Sequence, residues 1–200
     1  MKNFKLLLVA FLAVISVSSC MKDDNNYDNG ESEQARIDTI LKKQAPILEA
    51  YAKSKFTNPK LDTITGIWYE ELVKSTDETY EYTITSTGYF VTPRAKVKYK
   101  GELMDGKVFD EPSNPGEFNI ASNVQSGVIQ AWTRAFYPKT VVFNGKTYTT
   151  GLVDKGLRKG SKIRFISPSP WCYDNKVNGE IPADSPLIFT IEVLEIKDAQ

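Results

Sequence analysis

One alternation constrains this chain more than any other feature. In VKYKGELMDGKVFDEP, Val97 to Pro112, the residues Val97, Tyr99 and Gly101 alternate with Lys98, Lys100 and Glu102. Successive side chains of a strand point to opposite faces, so one face of this segment is apolar and the other charged. Asp105-Gly106 supplies the positive-φ positions of a tight turn. Val108-Phe109-Asp110 then returns as a second strand. LIFTIEVLEI, Leu187 to Ile196, repeats the alternation. Strands with one apolar face must cover it, which predicts an antiparallel sheet packed against another element.

The remaining segments supply that element. Val124 to Phe136 carries Val128, Ile129, Trp132 and Phe136 on one stripe at helical spacing, which predicts a buried helix. Further strands are expected over Thr65 to Val73, Ala95 to Leu103, Val108 to Glu111, Glu117 to Ile120 and Lys162 to Ile166. Tyr80 to Ile84 and Tyr89 to Val91 form a further short hairpin, and Pro93 punctuates before the next strand. Val141-Val142-Phe143 and Tyr148-Thr149-Thr150 flank Asn144-Gly145, a strong hairpin signal. Ser167 to Pro182 is a long loop of the kind that tends to be functional. At the N-terminal side, Ala35 to Tyr51 places Ile37, Ile40, Leu41, Ile47 and Leu48 at roughly helical spacing; Pro46 kinks or divides that helix. The plan is α+β.

Composition narrows the chemistry. The chain has 200 residues, fitting one domain with appendages. Lys and Arg number 25, as do Asp and Glu, so no basic excess exists to neutralise nucleic acid. There is no histidine, which excludes histidine-based acid/base catalysis, Ser-His-Asp triads and histidine-containing metal sites. No metal, cofactor or nucleic-acid partner is expected.

Lys2 and Lys5 precede a short apolar run, Leu6 to Val17, ending in Val17-Ser18-Ser19-Cys20. This resembles the lipobox of bacterial lipoproteins, in which the cysteine becomes the lipidated first residue. Lipidation of Cys20 would leave Cys172 alone, an inert small hydrophobe with no disulfide partner. The acidic, Asn-rich stretch that follows reads as a tether, and its Lys22-Asp23-Asp24 resembles surface-export signals. The expected organisation is a lipoprotein signal peptide at 1–19, a flexible tether at 20–33, a helical segment at 34–58 and the main domain at 59–200, with an insertion at about 137–155. The expected location is the cell envelope, on the outer membrane, facing either the periplasm or the outside.

The specific residues go further. VKYKGELMDGKVFDEP, GEFNI, SGVIQAW, GLRKGSKIRFISP and IPADSPLIFTIEVLEI, in that order from about Thr65 to Lys197, resemble the FKBP-type peptidyl-prolyl cis-trans isomerases. The resemblance implies an FKBP-like antiparallel sheet wrapped around a short helix, here with an N-terminal helical segment and an inserted hairpin. It implies a pocket that takes proline-containing peptides or proteins. Carried over by position, Tyr99, Phe109, Asp110, Trp132, Tyr173 and Phe189 would do the catalytic work. Trp132 would be the floor, Tyr99 and Phe109 a wall, and the Tyr173 hydroxyl a donor to a substrate carbonyl. Phe118, Val128, Ile129 and Ile181 would bind substrate, Val128 and Ile129 through backbone groups.

The residues alone leave other readings open. Trp132 and Phe189 also fit plain core, Tyr99 a buried tyrosine bonded to backbone, and Asp110 a turn cap. The chain departs from the family pattern as well. The loop EPSNPGEF lacks the arginine that often pairs with the aspartate, Gly116 replaces an aromatic, Ala131 replaces a glycine, and Tyr137 to Lys155 is inserted. A catalytically weak or inactive binding or chaperone module therefore stands beside the isomerase. So does a glycan-binding lipoprotein that uses Trp171 and Tyr173 as exposed aromatics.

Overall fold

The computed structural model describes residues 29–121 and 127–199. The expected signal peptide, Cys20 and the first part of the expected tether lie outside them. The first element is a long helix, α1 (Asn29–Lys55), which begins inside the stretch expected to be tether. Pro46 lies within it without ending it. The ring sits on the exposed side, where water can solvate the carbonyl that loses its N–H partner. Ile47, expected on the apolar stripe, is 48% exposed, whereas Leu48, Ala52 and Phe56 are buried.

The sheet strands are β1 (Lys60–Leu61), β2 (Trp68–Val73), β3 (Pro93–Leu103), β4 (Val108–Asp110), β5 (Gly116–Asn119), β8 (Lys162–Ser167) and β9 (Leu187–Asp198). Their order is β1-β2-β8-β9-β3-β4, all neighbours being antiparallel, and β5 joins the same edge of β3 as β4. Pro93 begins β3 rather than preceding it, a position where a missing N–H is tolerated. The hairpin signalled by Asn144-Gly145 is β6 (Thr140–Phe143) and β7 (Lys146–Thr149), with positive φ at Asn144 and Gly145 as its two-residue turn requires. The hairpin expected around Tyr80 to Val91 is reduced to one antiparallel bridge, Ile84 to Phe90.

Two cores share the sheet. Ile163 and Phe165 of β8, with Leu187, Phe189, Ile191 and Val193 of β9, face α2 (Gln130–Phe136). Ile166 and Ile188 have the opposite parity and meet Leu48, Ala52 and Phe56 of α1. The layers are therefore α1, sheet, α2.

A seven-residue helix is not stable by itself. Burial of Ala131, Trp132, Ala135 and Phe136 holds α2, each large ring contributing roughly 1.5–3 kcal/mol. The chain leaving the insertion caps its C-terminus: Leu152 N–H donates to Arg134 O at 3.0 Å and Leu157 N–H to Phe136 O at 2.8 Å. Gly151 makes that approach possible, since a Cβ there would lie 1.9 Å from the Tyr137 carbonyl oxygen.

The end of α1 is clamped to the sheet by Glu70, which is 2% exposed. Its carboxylate accepts from the Thr57 and Asn58 N–H groups and from the Arg164 guanidinium, which also covers the Phe56 ring. Burial alone would raise the Glu70 pKa; the hydrogen bonds and the guanidinium outweigh it and hold the carboxyl below its ordinary value. A depressed carboxyl stabilises the fold above its unfolded pKa, about 4, and loses that contribution as pH falls through the lowered value. Glu70→Ala is expected to lower unfolding free energy by roughly 3 kcal/mol at neutral pH. Denaturant melts should show the gap between variant and parent narrowing in acid.

Candidate active site

The pocket begins with a bulge. Gly101 pairs with Asp110 and Glu102 with Val108, so Phe109 is left over between them. Bulges re-aim side chains. The Phe109 ring lies across Gly101, where a Cβ would come within 2.5 Å of its Cζ. The same strand position faces Phe189 on its other side, and the two rings meet edge-on at 5.8 Å. Gly116 serves Phe118 likewise: a Cβ there would lie 2.6 Å from the ring. The departure from an aromatic at that position thus gives Phe118 its place.

Trp132, 4% exposed, lies at the bottom. Tyr99, Phe118 and Phe189 approach its indole at 5.0, 5.4 and 5.7 Å with steep interplanar angles. Edge-to-face pairs of this kind bring a positive ring edge to a negative ring face, a favourable arrangement for aromatic rings. Above the indole is an open hollow of about 470 Å³, within the usual range for small-molecule sites. Tyr99, Phe109, Asp110, Phe118, Val128, Ile129, Trp132, Tyr173 and Phe189 all line it. Ile181 is buried in the core beneath and is not part of the lining.

The rim carries the polar groups. Tyr99 donates its hydroxyl to Asp110 Oδ2 at 2.6 Å. Burial, then this bond to a carboxylate, raises the Tyr99 pKa, so the phenol stays protonated. Asp110 is exposed, so the desolvation that an arginine would offset does not arise. Val128 and Ile129 precede the helix, with Ile129 extended at φ −64° and ψ 158°; the expected start at Val124 lies outside the described residues. Val128 N–H is committed to Ala121 O. Among the described residues the Ile129 N–H meets no acceptor.

The third wall is the loop after β8, which makes a 3₁₀ turn at Ser169–Trp171. Pro170 and Cys172 line the pocket from it beside Tyr173. With Gly127 and Gln130, they are the lining residues that pattern reading misses. Burial pushes the Cys172 thiol up to about 12, in keeping with an inert role. Trp171 is not an exposed aromatic: its indole N–H donates to Thr65 O at 2.7 Å and it packs on the core. Buried Gln44 of α1 braces the loop, donating to Ser169 Oγ and Asp184 O and accepting from Ser169 N–H at 2.9 Å. Arg36 of α1 pairs with Asp174 of the same loop.

A sequence profile of FKBP-type peptidyl-prolyl cis-trans isomerases matches residues 91–194. The chain belongs to that family. It is 30% identical over 134 residues to the FKBP-type peptidyl-prolyl cis-trans isomerase FkpA of Escherichia coli K12, a match covering 65% of this chain and 42% of that protein. It is 28% identical over 183 residues to a probable FKBP-type peptidyl-prolyl cis-trans isomerase of Haemophilus influenzae, covering 88% and 65%. The chain thus spans well under two thirds of the length of the FkpA relatives it matches. Among solved structures, FkpA from Escherichia coli has a TM-score of 0.51 at 24% identity, covering 91% of this chain and 76% of that one. A peptidyl-prolyl isomerase from Pseudomonas syringae pv. tomato gives 0.52 at 24%, covering 81% and 96%. These structures share the fold: an antiparallel sheet around a short helix.

Proposed function

We propose that this chain catalyses cis-trans isomerisation of X-Pro peptide bonds in exported polypeptides. The observation that carries the reading is an open hollow floored by an indole and walled by aromatic rings at the end of the sheet.

The chemistry requires no nucleophile and no proton transfer. The planar imide resists rotation by about 18–20 kcal/mol because twisting it removes resonance. The twisted imide is less polar across C–N than the planar one. A water-poor aromatic surface therefore favours the transition state over the ground state. In this reading the proline ring stacks on Trp132, with the Phe109 and Phe189 pair as one wall. The Ile129 N–H and the Tyr173 hydroxyl hold the flanking carbonyls. Tyr99 and Asp110 keep the rim polar and fixed.

Exchange spectroscopy on a proline peptide is expected to show acceleration by the wild type. Phe109→Ala and Gly101→Ala, whose new Cβ displaces the same ring, are expected to lower kcat/KM by roughly tenfold. No acceleration by correctly folded wild type would defeat the reading. A non-catalytic holding module is the second reading, favoured by Val142 and Tyr148, exposed on the inserted hairpin at 62% and 47%. It is chosen if peptides bind while exchange stays at the uncatalysed rate.

The cell envelope is the proposed site of action, through lipid on Cys20. Val17-Ser18-Ser19-Cys20 after a short apolar run supports it. Mass spectrometry of the full chain expressed in a Gram-negative host should find Cys20 lipid-modified and N-terminal. An unmodified Cys20 would refute the anchor.

A further inference from the structure

A second groove begins where the first pocket ends. Gln130, the first residue of α2, lines both. From there the groove runs between Thr133 and Arg134 on the helix and Tyr148 on the inserted hairpin, with a volume of about 440 Å³. Its base is rigid. Phe90 and Tyr137 stack at 4.2 Å and an interplanar angle of 9°, and the Tyr137 hydroxyl donates to Ile120 O at 2.6 Å.

The groove also has a charge, and no counter-charge lines it among the described residues. Arg134 Nη1 donates to Thr150 O at 3.1 Å, which fixes the guanidinium against the end of the hairpin. A guanidinium has five N–H donors, so others are left for a ligand. No carboxylate lines the groove among the described residues. A planar cation in one lining with an aromatic pair, and with no acid beside it there, suits a bidentate carboxylate.

Geometry supplies the register. From Gln130 to Arg134 the helix advances about 6 Å, the length of about two residues of extended chain at roughly 3.3 Å each. A polypeptide with its proline ring in the first pocket and its backbone at the Gln130 rim would therefore reach Arg134 with a residue about two positions away.

We propose that this groove is a specificity subsite. It takes an acidic side chain about two residues from the proline in an extended polypeptide substrate. The inserted hairpin supplies one wall of it. The inference rests on the proline occupying the aromatic pocket.

The test uses peptides with Glu, Gln or Lys two residues before or two residues after proline. Both binding affinity and accelerated exchange are measured. The expected order is Glu, then Gln, then Lys, on one side of the proline, with about threefold between Glu and Gln. Arg134→Lys should keep the order, and Arg134→Glu should reverse it. Equal behaviour of all peptides with intact catalysis overturns the subsite and leaves the isomerase standing. The expected order in binding with no accelerated exchange upholds the subsite and removes the isomerase. Failure to bind any peptide overturns both.

Discussion

The fold depends on burying one face of a helix too short to exist alone. Residues Ala131, Trp132, Ala135 and Phe136 give α2 its only large apolar surface, and the hollow of the sheet covers it. This contact fixes the indole of Trp132 as a floor. It also sets the direction in which Ile129 presents its N–H, and it orients Arg134 towards the groove. Loss of that packing would dissolve the helix and the site together, because the helix has no side-chain N-cap to hold it.

The other elements shape or brace the hollow. The two longest strands, β3 and β9, pair along most of their length and so set Tyr99 and Phe189 at fixed heights. A bulge and two glycines bring Phe109 and Phe118 inward. On the far side of the sheet, α1 reaches round to the loop that carries Tyr173, through Gln44 and Arg36. The segment after α2 is more than decoration. The chain that follows its hairpin caps α2, Gly151 permits the approach, and the hairpin walls a second groove. One segment thus joins helix stability to the surface beside the pocket.

Much of this was legible from the chain because it is periodic or local. Alternation in Val97 to Leu103 and Leu187 to Ile196 marked the long strands, and Asn144-Gly145 marked the inserted hairpin. Order of motifs pointed to the aromatic residues that line the hollow. The misses are non-local or concern ends. Val128 and Ile129 fit a helical stripe, yet they pack against the core from before the helix begins, because a stripe reports which side is apolar and not where the first helical bond forms. Pro46 is expected to kink or divide the helix, but the helix runs through it, because an exposed ring removes only a bond that water can replace. Nothing in the sequence around Gln44 points to its role, because its partners lie 125 and 140 positions away. The space above Gly101 and Gly116 is likewise invisible until the bulge turns a ring into it.

The central claim is that an aromatic hollow lowers the barrier to imide rotation without moving a proton. The most direct measurement is the enzyme-accelerated cis-trans exchange rate of one proline peptide in light and in heavy water, across neutral pH. The account predicts equal rates in the two solvents and a flat profile, since the chain has no histidine to titrate there. A marked slowing in heavy water, or a rate that follows a neutral titration, would mean that proton transfer limits the step and would contradict it.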